Sequence, residues 1–323
     1  MSSGEGRGGG RVPDFFIVGH AKSGTTALYE MLRQHPQIYM PQSKEPWYFA
    51  EELLERTPPR PGGTPATLAE YRTWFADAAP EQRAGEASAL YLWSQTAAAR
   101  IAQARPDARI IAILREPASF LRSLHMQFVQ VYVETENDFA KALALEPARR
   151  RGEQIPRHTY WPKALLYSDH VRYVEQLRRY REVFPAEQML VLIYDDFRAD
   201  NQAVVRNVLR FLDVDDSEPI AVLDANPTVR VRSQRLNELV HGVSVGHGPV
   251  SQAVKASVKT LLPKRLRRGA LEAAQRHLVF AEPEQPDAEL MAELRRRYKD
   301  EVVALSEYLD RDLVELWGYD SVG

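Results

Sequence analysis

The chain contains no cysteine. That excludes disulfide staples, thiolate catalysis and cysteine-ligated zinc, and it fits a cytoplasmic, reducing setting. Long apolar runs are also missing. The longest, such as FFIVG (Phe15 to Gly19) and IIAIL (Ile110 to Leu114), are strand-sized, well short of the roughly 20 apolar residues of a membrane helix. Neither sign of charge dominates, with 42 Lys and Arg against 44 Asp and Glu. A generally basic nucleic-acid binder is therefore not expected, although a local basic cleft is compatible with this balance. The opening MSSGEGRGGGR is Gly-rich with no apolar segment. It reads as a flexible tail over residues 1–12 and not as a signal peptide.

With 323 residues, 44% of them hydrophobic, the chain can bury a sizeable core. Short apolar runs alternate with helical periodicity. DFFIVG (Asp14 to Gly19), RIIAIL (Arg109 to Leu114) and QMLVLIY (Gln188 to Tyr194) read as buried parallel strands, and AGEAS (Ala84 to Ser88) as a fourth. Ala27, Leu28, Met31 and Leu32 share a helical face that Pro36 closes. Pro117 suits the first turn of a helix after RIIAIL. Val171, Val174 and Leu177 mark another helix, and Val204, Val205, Val208, Leu209 and Leu212 a further one behind a cap at Asp200. Leu290, Met291, Leu294, Leu305 and Leu309 stripe a terminal helix. The expected fold is α/β, three layers, with a central parallel sheet flanked by helices. Residues 13–323 read as one domain, with a surface excursion at about 51–80 and an insertion at about 241–286.

In such folds ligands bind at the carboxyl ends of the strands, and one of those ends carries GHAKSGTT (Gly19 to Thr26). A strand–loop–helix of this kind turns backbone N–H groups and the positive helix end toward an anion. A nucleotide triphosphatase would carry lysine after the second glycine. Here that position is Thr25, and Lys22 lies inside the loop. The spacing G-x-x-K-x-G-T-T puts a cation beside a single phosphate and whatever leaves or arrives there.

FIVGHAKSGTT resembles the 5′-phosphosulfate loop of sulfotransferases that use 3′-phosphoadenosine 5′-phosphosulfate (PAPS), with carbohydrate sulfotransferases and bacterial members the nearest in pattern. The resemblance implies a P-loop-type fold and PAPS as co-substrate, with no metal required. It implies Lys22 at the 5′-phosphate and the bridging oxygen, and Ser23, Gly24, Thr25 and Thr26 cradling that phosphate. LREPASFLRSL (Leu114 to Leu124) then supplies Arg115 and, eight residues on, Ser123. An arginine fork and a hydroxyl suit the 3′-phosphate that distinguishes PAPS from ATP. Tyr167 matches a tyrosine near the adenine, and Arg232 and Ser233, in NPTVRVRSQRL, match residues that close over the nucleotide.

Sulfuryl transfer also needs a base for the acceptor's proton. SKEPWYFA (Ser43 to Ala50) resembles the carbohydrate-sulfotransferase segment whose glutamate has that role, which selects Glu45. His20 and His158 are the alternative bases. Glu86 matches an acidic position of the family, but relatives that act on heparan-type chains carry lysine next, where this chain has Ala87. The expected acceptor is therefore a small molecule, lipid or sugar hydroxyl, less readily an amine, with a polyanionic glycan disfavoured. A P-loop kinase or NTPase and a non-catalytic nucleotide-binding protein are the competing readings.

Overall fold

The computed structural model describes residues 10–54, 64–157, 159, 161–221, 230–231, 280–281 and 285–322. They fall into two compact units. One contains the described residues of Met1–Leu121, Leu166–Asn226 and Ala292–Gly323; the other contains those of Arg122–Leu165 and Pro227–Met291.

The first unit is built on a five-stranded parallel sheet. Its strands are β1 (Phe15–Gly19), β2 (Ile38–Tyr39), β3 (Arg83–Ala87), β4 (Arg109–Leu114) and β5 (Met189–Ile193), in the order β2-β3-β1-β4-β5. Along β1, successive side chains alternate between the two faces of the sheet. Phe15, Phe16, Ile17 and Val18 are all fully buried, so both faces are covered. On one face Phe15 and Ile17 join a core with Leu28, Met31 and Leu32 of the helix Thr25–Leu32 and with Val205, Val208 and Leu209 of the helix Asn201–Phe211. Phe16 meets Phe49 edge-on at 5.7 Å.

The four expected strands are present to within one residue at each end. Pro117 opens the helix Pro117–Gln130, and Asp200 caps Asn201–Phe211 by accepting from the Ala203 N–H at 2.8 Å. Two expectations change. The helix holding Val174 and Leu177 begins at Tyr173 and leaves Val171 just outside it, as the C-cap of Tyr167–His170. The stretch read as a surface excursion is in part core: Tyr71 and Phe75 are buried, and Tyr71 stacks on Tyr48 at 4.8 Å. Against the same stretch, Arg11 donates to the Ala79 carbonyl, and the adjacent Val12 is buried. The stretch read as an insertion lies outside the described residues apart from 280–281 and 285–286.

In the second unit, Asp138 caps Phe139–Ala144, and a short helix follows at Glu146–Arg150. Arg149 makes a buried two-pronged pair with Glu134, at 2.6 and 2.8 Å. Val231 pairs with Phe280 in a two-stranded antiparallel ladder.

Gly85 stands beside Phe15 in the parallel register. A Cβ there would fall on the Phe15 ring and 2.5 Å from Met40 Sδ. Neither side chain can retreat from a filled core. The Gly85→Ala variant is expected to lose about 1–3 kcal/mol of stability, read as a lower urea midpoint with unchanged slope.

Candidate active site

The loop His20–Gly24 connects β1 to the helix Thr25–Leu32. Gly24 takes φ 88°, and a Cβ on it would lie 3.0 Å from the Phe197 ring, so both conformation and space call for glycine. Gly24 has no side chain with which to cap the helix, so the first helical N–H groups receive no cap from it. Lys22 itself is held at φ 62°. A non-glycine residue in that region costs about 1–3 kcal/mol and persists only where its surroundings impose it.

Arg115, immediately after β4, completes the loop from the far side. Its Nη1 donates to the Lys22 carbonyl at 3.0 Å, its Nε to Ser119 Oγ at 3.2 Å, and its guanidinium lies 4.8 Å over the Tyr194 ring. The Arg115 carbonyl accepts from Tyr173 Oη at 2.9 Å. Neighbouring Glu116 is occupied otherwise: it receives the Ala118 and Ser119 N–H groups at the start of Pro117–Gln130, and the Tyr319 hydroxyl at 2.7 Å. Burial, and then the positive charge of Arg115, hold the Lys22 ammonium below its ordinary pKa. Two cations thus converge on an uncapped helix end. This is an arrangement that favours a bound anion.

His20 is buried in the loop. Gln176 donates through Nε2 to the carbonyls of Asp169 and His170, at 3.0 and 3.2 Å, which turns its Oε1 toward His20 Nε2 at 2.8 Å. His20 Nε2 therefore carries the hydrogen and donates it. Phe120 and Tyr173 flank the ring at 4.8 and 5.2 Å. Burial, with a smaller push from His170, lowers its pKa to about 3, so it is neutral.

Two carboxylates stand near the end of β3. Glu45 is half-buried at φ 60°, and its N–H donates to the Ala87 carbonyl at 3.0 Å. Trp47, at φ 53°, and Phe49 are buried behind it. Glu86 is sealed inside: Oε2 accepts from the Tyr71 hydroxyl at 2.6 Å and from the Tyr91 hydroxyl at 3.3 Å. Its Oε1 and the Ser88 hydroxyl have no well-formed hydrogen bond among the described residues, although Ser88 lies close enough to favour the ionised carboxyl. Burial pushes Glu86 up to about 7 against the pull of these hydroxyls, and Glu45 adds a smaller push.

The structure thus brings Lys22, Ser23, Gly24, Thr25, Thr26 and Arg115 to one end of the sheet. Ser123 is buried on Pro117–Gln130, and Tyr167, which opens the helix Tyr167–His170, is also buried. His158, Arg232 and Ser233 lie outside the described residues. Two residues were not predicted for this site. One is Gln176, 156 positions from His20; the other is Lys44, whose Nζ donates to Thr26 Oγ1 at 2.9 Å. Among the described residues no helix is long and apolar enough to cross a membrane, and no group of three or more His, Asp or Glu is arranged to hold a metal ion.

Sheet and loop together define an α/β protein with a strand–loop–helix at the carboxyl end of the central strand of its parallel sheet. The model of the sulfotransferase family matches residues 13–218, more than half of the chain. The chain belongs to that family. A crystal structure of a sulfotransferase from Alicyclobacillus acidocaldarius is similar over 95% of this chain and 98% of that one, at 27% identity and a TM-score of 0.67. Among curated proteins, the human bifunctional heparan sulfate N-deacetylase/N-sulfotransferase 3 is 29% identical over 213 residues, which is 63% of this chain and 22% of that protein. Human carbohydrate sulfotransferase 15 is 25% identical over 250 residues, 63% of this chain and 44% of that protein. The chain thus spans less than half the length of these two curated relatives.

The neutrality of His20 has a pH signature. Below its ordinary pKa of 6.5 the unfolded chain takes up a proton that the folded chain refuses until about pH 3. Stability contributed by this group is complete above pH 6.5 and falls as the pH is lowered. The slope is at most ~1.4 kcal/mol per pH unit. Urea unfolding of wild type and His20→Asn at several pH values from about 7 to 5 is expected to show a steeper acid-side decline in wild type. Parallel curves would mean that the imidazole is not held neutral.

Proposed function

We propose that the protein transfers a sulfuryl group from PAPS to a hydroxyl, less readily an amine, of a small-molecule, lipid or sugar acceptor, in a cytoplasmic setting. The observation that carries this reading is the crowding of Lys22 and Arg115 at an uncapped helix N-terminus, with Arg115 only 3.0 Å from the Lys22 carbonyl. Such a donor set fits a nucleotide with separate anionic groups. Ser23, Gly24, Thr25 and Thr26 would hold the 5′-phosphate, Arg115 and Ser123 the 3′-phosphate, and Tyr167 would lie near the adenine. Arg232 and Ser233 would close over the nucleotide.

The co-substrate supplies a sulfuryl group on a phosphosulfate anhydride. Glu45 takes the acceptor proton as the new oxygen–sulfur bond forms. Lys22 and the loop N–H groups meet the charge that develops on the departing 5′-phosphate, so this reading requires no metal. Adenosine 3′,5′-bisphosphate is the product. The names of the curated relatives support a sugar acceptor. Ala87, where heparan-type enzymes carry lysine, weighs against a polyanionic one.

Calorimetry is expected to show tighter binding of adenosine 3′,5′-bisphosphate than of AMP; equal binding would remove the proposed 3′-phosphate site. In an acceptor screen with labelled PAPS, Lys22→Ala is expected to abolish transfer. Glu45→Gln is expected to lower kcat by about 10²–10⁴-fold while leaving bisphosphate affinity within about threefold. Undiminished turnover in the glutamine variant would shift the base role, first to His158.

A further inference from the structure

Lys44 follows Ser43 and precedes Glu45, and its ordinary role would be an ion pair with a neighbouring carboxylate. Its ammonium goes instead to the phosphate loop, where Nζ donates to Thr26 Oγ1 at 2.9 Å and lies 5.5 Å from the Tyr29 ring centroid. Thr26 is the second residue of Thr25–Leu32, so this cation stands at the positive end of a helix dipole. That placement is unfavourable on its own. The charges that act on Lys44 are the carboxylates Glu45 and Glu30, which favour the ammonium against the cost of its burial.

The hydrogen-bond polarity fixes what Thr26 can do. An ammonium only donates. Thr26 Oγ1 is therefore the acceptor in this bond, and its own hydrogen is turned to another partner. At the positive end of a helix, the partner that suits an O–H donor is an anion's oxygen. The next residue, Glu45, is tied to β3 through Ala87 and leaves the segment at φ 60°.

Resting on the PAPS reading above, we infer that Lys44 is a positioning residue for the 5′-phosphate: it orients the Thr26 hydroxyl as a donor and fastens the segment that carries Glu45 to the phosphate loop. Donor loop and base are then held in register by consecutive residues of one segment, which is what in-line transfer requires.

Calorimetry of the full chain with three probes tests this. Adenosine 3′,5′-bisphosphate and AMP carry the 5′-phosphate; 3′-AMP does not. Lys44→Met is expected to weaken the first two by about tenfold and 3′-AMP by less than about twofold. Because Lys44 acts through Thr26, adding Lys44→Met to Thr26→Val is expected to cost less than about threefold further. Lys44→Gln, which keeps a donor at that position, serves if the methionine variant unfolds at a lower temperature, and its loss is expected to follow the same 5′-selective pattern. Equal losses on all three nucleotides, no loss at all, or full additivity with Thr26→Val would overturn the inference. Wild type that binds bisphosphate no better than AMP overturns the PAPS reading instead; wild type that binds none of the three overturns both.

Discussion

The constraint on which the rest of the structure depends is electrostatic. Three cationic side chains are fixed to one loop and the first turn of the helix that follows it. Lys22 is inside the loop, Arg115 is fixed to its carbonyl, and Lys44 is fixed to Thr26. Each is partly buried, and for each lysine burial works against the charged form. Lys22 and Arg115 are like charges, which repel far more strongly in a desolvated site than at an open surface, whereas the charges that act on Lys44 are the carboxylates Glu45 and Glu30. An anion placed between the first two would relieve that repulsion.

Holding these side chains together requires rigid supports, and these come from distant parts of the chain. β1 lies at the centre of the order β2-β3-β1-β4-β5, where connections depart to opposite sides. The carboxyl ends of β1 and β4 consequently deliver the loop and Arg115 to the same end of the sheet, the usual ligand position of a parallel sheet, while Glu86 on β3 is buried behind it. Gln176 braces the loop from below through His20. The C-terminal segment braces Arg115 indirectly: Tyr319 grips Glu116, and Glu116 in turn anchors the helix after β4. Arg311 clasps Asp196 near the end of β5 with two bonds, one of them 2.7 Å. The terminal residues therefore tie the segments after β4 and β5 together through Glu116 and Asp196.

What could be read in the sequence follows from how local each signal is. RIIAIL and FFIVG are apolar runs bounded by turn residues, and a buried parallel strand needs little more, so their ends matched closely. β2 is only two residues long, and no periodicity can reveal it. Tyr71 and Phe75 sit amid Pro- and Gly-rich sequence that suggests an exposed loop. Tyr71 is covered by Tyr48, Phe49 and Glu86 from other elements, and Phe75 packs against Tyr71. The loop's lysine and glycines were legible because spacing alone orders them. The Gln176 brace and the Lys44–Thr26 bond were not, because each joins residues that only the folded sheet brings together.

Geometry also bears on which group can act as base, because a base must reach the proton it removes. His20 is buried, and its Nε2 is already a donor to Gln176, so it can take no proton through that atom. Burial brings the Glu86 carboxyl to about 7, yet it is sealed behind Tyr71 and Tyr91 and receives both hydroxyls. An acceptor would have to displace two core tyrosines to meet it. Glu45 is the carboxylate of the pair that remains half-exposed. Of the two, it is therefore the one an acceptor could meet without disturbing core tyrosines, which is the reach that the proposed base role requires.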